Sequence, residues 1–235
     1  MSVRAVLFDV DDTLVDTRGA FRHALAQIAR LHLPEAPDAD ELTHFWRADR
    51  HGRYRAHTRG EIDYRSQRML RANDLHGEFG GALMDDHAYD AWNADFERYF
   101  QEGWRALDDA AAALDELDTR GIPYGGLSNA AFAYQEQKLA ACGLARVPMV
   151  VGVDTLGFGK PDPRIFALGA ERMGLRPEEI AYVGDEYDID AVAATEAGMV
   201  GIWLDRPGGH PVDVSHPAIR RIASLAELAG VLAPG

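Results

Sequence analysis

The chain has 235 residues, 47% of them hydrophobic and 26% charged, enough for a packed core and too apolar for wholesale disorder. With 24 Lys and Arg against 38 Asp and Glu its net charge is −14, which argues against nucleic acid or an anionic membrane as its main partner. The single cysteine, Cys142, excludes an intramolecular disulfide and a multi-cysteine metal cluster, and no run approaches the ~18 apolar residues of a membrane span.

The first strand is expected over Val3–Phe8. The next ~100 residues offer no convincing strand. They carry amphipathic helical segments near Ala20–Leu31, Ala39–Arg53, Ile62–Leu75 and Ala88–Phe100, broken at Pro34, Pro37, Gly60, Gly77 and Gly80–Gly81. A helix over Leu107–Arg120 stops at Gly121. Strands then follow at Ile122–Leu127, Pro148–Val153, Ile180–Gly184 and Val200–Leu204, with helices at Phe132–Ala141, Arg164–Met173 and Asp190–Ala197 between them. Nearly continuous apolar strands alternating with helices predict a doubly wound parallel α/β core, interrupted after its first strand by a helical insertion. Charge divides along the same line. Residues 17–101 hold 12 basic and 14 acidic residues, while the remainder holds 12 and 24. The expectation is a soluble, cytoplasmic protein, compatible with a monomer or a homodimer.

In an open α/β sheet, sites form at the carboxyl ends of strands, and acidic residues gather there. Asp9-Val10-Asp11-Asp12-Thr13 follows the first strand directly. If that segment stays extended, Asp9 and Asp11 point the same way, an arrangement suited to a hard divalent cation such as Mg²⁺ that shares its shell with a substrate phosphate. Asp-rich turns also end strands and cap helices with no ligand involved. Gly184-Asp185 ends a later strand, with Glu186, Asp188 and Asp190 following. The helix dipole accounts for the last two, but not for a second strand ending in Asp at the same sheet edge. Ser128-Asn129 ends another strand ahead of a helix, a place suited to phosphate and equally to an N-cap. Only two of the 24 basic residues are lysine, Lys138 and Lys160, and Lys160 lies in Gly159-Lys160-Pro161-Asp162-Pro163. A compact ammonium meets a carboxylate and a phosphate as a point charge.

These four segments, in this order, resemble the motifs of the haloacid-dehalogenase-like hydrolase superfamily: Asp9-Val10-Asp11-Asp12-Thr13, Leu127-Ser128-Asn129, Lys160-Pro161, and Gly184-Asp185 with Asp190. The resemblance implies a Rossmann-like catalytic core at residues 1–16 and 102–235 and an all-α cap of the first type at 17–101. It further implies Asp9 as nucleophile, Asp11 as acid and base, and Mg²⁺ on the Asp9 carboxylate, the Asp11 carbonyl and Asp185, with Asp190 in support. Ser128 and Asn129 would hold phosphoryl oxygens, Lys160 would balance nucleophile and phosphate, and Thr13 would set the loop. The family's dehalogenases lack an acidic residue two positions after the nucleophile. Asp11 therefore favours phosphoester hydrolysis, since an alkoxide leaving group needs a proton and a halide does not.

The expected substrate is a small phosphorylated metabolite, with a phosphomutase or a non-catalytic regulatory module as alternatives. Within the cap, Trp46, Arg47, Arg50, Arg53, Tyr54, Arg55, His57 and Arg59 form a basic and aromatic cluster that suits either a second anionic group or a solvated face. Gly19 and Gly103 are candidate hinges for cap opening.

Overall fold

The computed structural model describes residues 3–206 and 216–232. The chain divides into two compact units, Met1–Val15 with Ala106–Gly235, and Asp16–Arg105. Residues 1–2, 207–215 and 233–235 of the expected core lie outside the described residues.

The first unit is built on six parallel strands, β1 (Ala5–Phe8), β2 (Tyr124–Leu127), β3 (Met149–Val151), β4 (Ile180–Gly184), β5 (Val200–Leu204) and β6 (Arg220–Ile222), in the order β3-β2-β1-β4-β5-β6. Side chains alternate across the sheet, so one apolar run feeds two cores. Val6, Phe8, Ala181 and Val183 enter one, while Ala5, Leu7, Ile180 and Tyr182 enter the other. β1 is flanked by β2 and β4, so the strand order reverses beside it and opens a crevice at the strands' carboxyl ends.

The second unit is all helical, with α1 (Thr17–His32), α2 (Ala39–Ala48), α3 (Arg53–Thr58), α4 (Tyr64–Glu78) and α5 (Asp86–Glu102). Asp16, Asp38, Asp63 and Asp85 each accept a backbone N–H at the start of α1, α2, α4 and α5, so four of this unit's acidic residues serve as caps. Its centre is an aromatic stack of Phe21, Trp46, Trp92, Phe96 and Phe100. The buried Arg68 lies over Phe96 and pairs with Glu97 at 3.0 Å.

Among the described residues of the first unit, the α-helices are α6 (Ala110–Arg120), α7 (Phe132–Ala141), α8 (Pro163–Met173), α9 (Ala193–Glu196) and α10 (Leu228–Val231). Gly121 and Gly174 end α6 and α8 at φ of 65° and 67°, in the left-handed region that favours glycine. Among the described residues, no helix is long and apolar enough to cross a membrane.

Three expectations need correction. The expected helix over Ala39–Arg53 is two helices, parted where Asp49 turns left-handed at φ 43°. The expected helix at Asp190–Ala197 begins instead with a π-helical turn, Tyr187–Val192, lying so close to β5 that a Cβ on Gly201 would sit 2.4 Å from the Ala191 carbonyl oxygen. Strand β6 was not anticipated. Its sequence, Arg-Arg-Ile, has two exposed residues, and backbone pairing with β5 alone declares it. Gly19 and Gly103, the candidate hinges, also stand where an added side chain would meet close neighbours. A Cβ on Gly19 would strike the Asp16 carboxylate at 2.1 Å, and one on Gly103 the Ala20 Cα at 2.8 Å.

Candidate active site

The carboxyl ends of β1 and β4 carry Asp9 and Asp185, and the π-helical turn after β4 returns Asp190 to the same place. One oxygen from each of these three carboxylates lies within 4.8 Å of the others. Lys160 enters from the loop before α8. Its Nζ donates to Asp9 Oδ1 at 2.7 Å, to Asp190 Oδ1 at 2.7 Å and to the Tyr182 hydroxyl at 2.8 Å. Lys160, Asp9, Asp190 and Tyr182 are all buried.

The local sequence explains how the lysine is held. The side-chain amide of Asn129 brackets its backbone, accepting from Lys160 N at 2.6 Å and donating to Lys160 O at 3.0 Å. A Cβ at residue 159 would lie 2.1 Å from Asn129 Oδ1, so a larger residue there displaces the amide that braces Lys160. Gly184 makes room in the same way for Asp190, whose Cγ would be 2.3 Å from an added Cβ. The second oxygen of Asp190 accepts from Glu186 N at 3.0 Å. The backbone carbonyl of Asp185 accepts the Trp203 indole N–H at 3.0 Å, which fixes the end of β4.

The electrostatics follow from crowding. Burial pushes Asp9 up to about 8, Asp190 and Asp11 add to the rise, and Lys160 opposes it. Burial also lifts Asp185 well above the ordinary carboxylate range, helped by Asp12, Asp190 and Asp9. Burial alone would lower Lys160, but Asp190 and Asp9 outweigh it and keep the ammonium charged. With all three carboxylates ionised, one ammonium would leave two negative charges uncompensated, which is why Asp9 and Asp185 hold their protons until a cation replaces them. An all-oxygen donor set with that deficit fits a hard divalent cation, Mg²⁺ among them.

A second group of side chains surrounds Asp11. The segment after β1 is not extended as expected. It turns at Asp12, which takes a left-handed φ of 56°, and Val15 N reaches back to the Val10 carbonyl at 3.0 Å. The Asp11 carboxylate therefore meets α7, accepting from Lys138 Nζ at 2.6 Å and from Gln135 Nε2 at 2.7 Å. Gln135 Nε2 also donates to Ser128 Oγ at 2.7 Å. Thr13 is fully buried, and its Oγ1 has no hydrogen-bond partner among the described residues, while its carbonyl accepts from Arg206, itself doubly bonded to Asp109.

The structure thus gathers Asp9, Lys160, Asp185 and Asp190 in one cluster and Asp11 with Ser128 in another, and it uses the Asn129 side chain as a brace. Sequence reasoning missed Gln135, Tyr182 and Trp203, and it gave Lys138 no role. In the helical unit, the basic residues Arg50, Arg53 and Arg59 lie at 3.6, 3.7 and 2.5 Å from Glu78, Asp74 and Glu61, as on a solvated face.

A sequence profile of haloacid dehalogenase-like hydrolases matches residues 3–198. The chain belongs to that family. It is 28% identical over 229 residues to the phosphoglycolate phosphatase of Escherichia coli K12, covering 92% of this chain and 88% of that one. It is 36% identical to the phosphoserine phosphatase of Thermus thermophilus over 135 residues, which are 56% of this chain and 54% of that enzyme. Among solved structures it resembles the putative hydrolase YfnB of Bacillus subtilis bound to magnesium, with a TM-score of 0.79, 24% identity and full coverage of both chains. It also resembles the L-2-haloacid dehalogenase RSc1362, with a TM-score of 0.80, 22% identity and 99% coverage of each. At these identities the likeness to solved structures concerns the fold.

Proposed function

We propose that this hydrolase is a Mg²⁺-dependent phosphatase that cleaves a small phosphomonoester through an aspartyl-phosphate on Asp9. The observation that carries the reading is the buried Asp9 carboxylate held by Lys160 beside Asp185 at the reversal of strand order. The phosphatase names of relatives that match most of the chain support it. The presence of Asp11 two positions after Asp9 favours an ester with an alkoxide leaving group over a halide.

Asp9 and Asp185, with the Asp11 carbonyl, would hold Mg²⁺, and Asp190 would support them through Lys160 and the Glu186 N–H. When bound, the cation would neutralise charge on the phosphoryl group. The Asp9 oxygen attacks phosphorus as the bond to the leaving oxygen breaks, and Asp11 gives that oxygen its proton. Asp11 then takes a proton from water, whose oxygen attacks phosphorus. The Asp9–phosphorus bond breaks, and phosphate departs. Lys160 keeps the nucleophile aligned and offsets the phosphoryl charge. Ser128 Oγ already accepts from Gln135 and from Ala130 N at 3.2 Å, leaving its hydroxyl hydrogen to donate to a phosphoryl oxygen. The Asn129 backbone N–H is the second such donor, and Thr13 supports the loop.

The substrate class we infer is a short phosphorylated acid or aldehyde, as in the names of the phosphoglycolate, phosphoserine and glyceraldehyde 3-phosphate phosphatases that this chain is similar to. The helical unit is the part we assign to substrate choice. A panel containing those three esters, sugar phosphates and nucleotides tests the reading. Mg²⁺-dependent phosphate release, highest on the three-carbon and two-carbon esters, is the expected result. Release from none of the panel would overturn it.

A further inference from the structure

The chain uses arginine for 22 of its 24 basic residues, yet both of its lysines are buried, and each meets a different carboxylate of the segment after β1. Lys160 meets Asp9 and Lys138 meets Asp11, at 2.7 and 2.6 Å. Arginine would suit neither place, since its fork is broad and a point donor is needed in a closed space. Gln135 stands one helical turn before Lys138 on the same face of α7 and is fully buried. Its amide nitrogen has two hydrogens and two acceptors, Asp11 Oδ2 and Ser128 Oγ, both at 2.7 Å. Each Asp11 oxygen is therefore held by a different side chain of α7.

We propose that Gln135 and Lys138 are positioning residues that hold the Asp11 carboxyl group for proton transfer at the leaving oxygen, and that Gln135 ties this alignment to Ser128. The proposal rests on the phosphatase reading above. Three features favour it over a merely structural ion pair. The pair closes a separation of 127 residues onto a loop residue whose own side chain is 31% exposed, although Lys138 itself is 2% exposed. A buried ammonium partnered to a half-open carboxylate is a poor way to gain stability, because the desolvation of the lysine is only partly repaid. The same face of α7 also reaches the Ser128 hydroxyl at the end of β2, so one rigid helix aligns two groups of one site. In the first half-reaction the proton goes from Asp11 to the leaving oxygen as the phosphorus–oxygen bond breaks. In the second, Asp11 takes the proton of the attacking water. Misalignment impairs both transfers and leaves the attack by Asp9 intact.

The test compares phenyl phosphate with p-nitrophenyl phosphate, two esters of nearly the same shape, the second of which leaves readily without a proton. Single-turnover release of each phenol is followed for wild type, Lys138→Met, Gln135→Leu, Asp11→Ala and the double variants with Asp11→Ala. The expected result is that Lys138→Met slows release of phenol about tenfold more than release of p-nitrophenol, with KM little changed, and that it slows neither further in Asp11→Ala. Equal slowing of both esters, no slowing, or additivity with Asp11→Ala would overturn the proposal. Gln135→Leu gives the same reading should Lys138→Met fail to fold. Thermal unfolding reads the contact without activity: Lys138→Met should raise Tm in Asp11→Ala, where the buried ammonium has lost Asp11, by more than it does in wild type, and equal shifts would overturn it. A wild type that releases neither phenol counts against the phosphatase reading, and the Tm coupling still decides the contact.

Discussion

Removing the Lys160 ammonium should destabilise this protein more than removing any exposed cation. The Nζ makes hydrogen bonds of 2.7 Å to both Asp9 and Asp190, and the residue is 3% exposed. Lys160→Met nearly preserves the volume, so the loss is electrostatic. It leaves two buried carboxylates facing each other without a counter-charge, and breaking a buried pair in this way costs about 3–5 kcal/mol. Protonation of Asp9, which burial already pushes up to about 8, relieves part of that near neutral pH and places the outcome toward the lower end. At roughly 2–4 °C per kcal/mol for a chain of this size, Tm should fall by about 6–15 °C. Scanning calorimetry in EDTA measures it, with Arg164→Met as control. That arginine pairs with Asp162 at the surface, where solvent screens the pair and its loss should leave Tm essentially unchanged. A Lys160→Met variant that melts no lower than Arg164→Met would refute the reasoning, because the lysine would then not be neutralising a buried acidic cluster.

Three further outcomes follow from the same geometry. Asp9 and Asp185 are raised in the folded protein, so the native state holds protons that the unfolded chain releases. In EDTA their contribution to stability is full below about pH 4 and is lost as pH rises, the Asp9 part as pH approaches about 8, and Mg²⁺ should flatten that decline; Tm against pH, with and without Mg²⁺, checks this, and a metal-free profile that rises over pH 5–8 would contradict it. Gly159→Ala forces a Cβ to 2.1 Å from Asn129 Oδ1, so it should displace the Lys160 loop and lower kcat at least about tenfold in a phosphatase assay. Trp203→Phe removes the donor to the Asp185 carbonyl and should weaken Mg²⁺ binding about 10-fold or more, read by titration of Tm with Mg²⁺.

What the sequence revealed and what it hid divide along a physical line. Strands β4 and β5 and helix α7 have the expected bounds, Ile180–Gly184, Val200–Leu204 and Phe132–Ala141, because apolar period and glycine stops are local signals. The grouping of Asp9 with Asp185 was also legible, since strand ends in a parallel sheet share one edge. Gln135 and Lys138 were not. On a helix, two polar residues three apart read as a solvated face, and only the fold carries them across 124 and 127 residues to Asp11. Tyr182 was hidden for the opposite reason. It sits within an apolar strand and reads as core, yet its hydroxyl reaches Lys160. The π-helical turn that aims Asp190 inward depends on the absence of a side chain at Gly184 and at Gly201, and that requirement shows only in three dimensions.

The central claim is that Asp9 is the nucleophile of a metal-dependent phosphatase. Phosphate release from phosphoglycolate and p-nitrophenyl phosphate, measured for wild type and Asp9→Asn in Mg²⁺ and in EDTA, tests it most directly. The account predicts release by wild type in Mg²⁺ alone and none above background from Asp9→Asn, whose amide preserves the shape of the site but is no nucleophile. Release that survives Asp9→Asn would contradict the account.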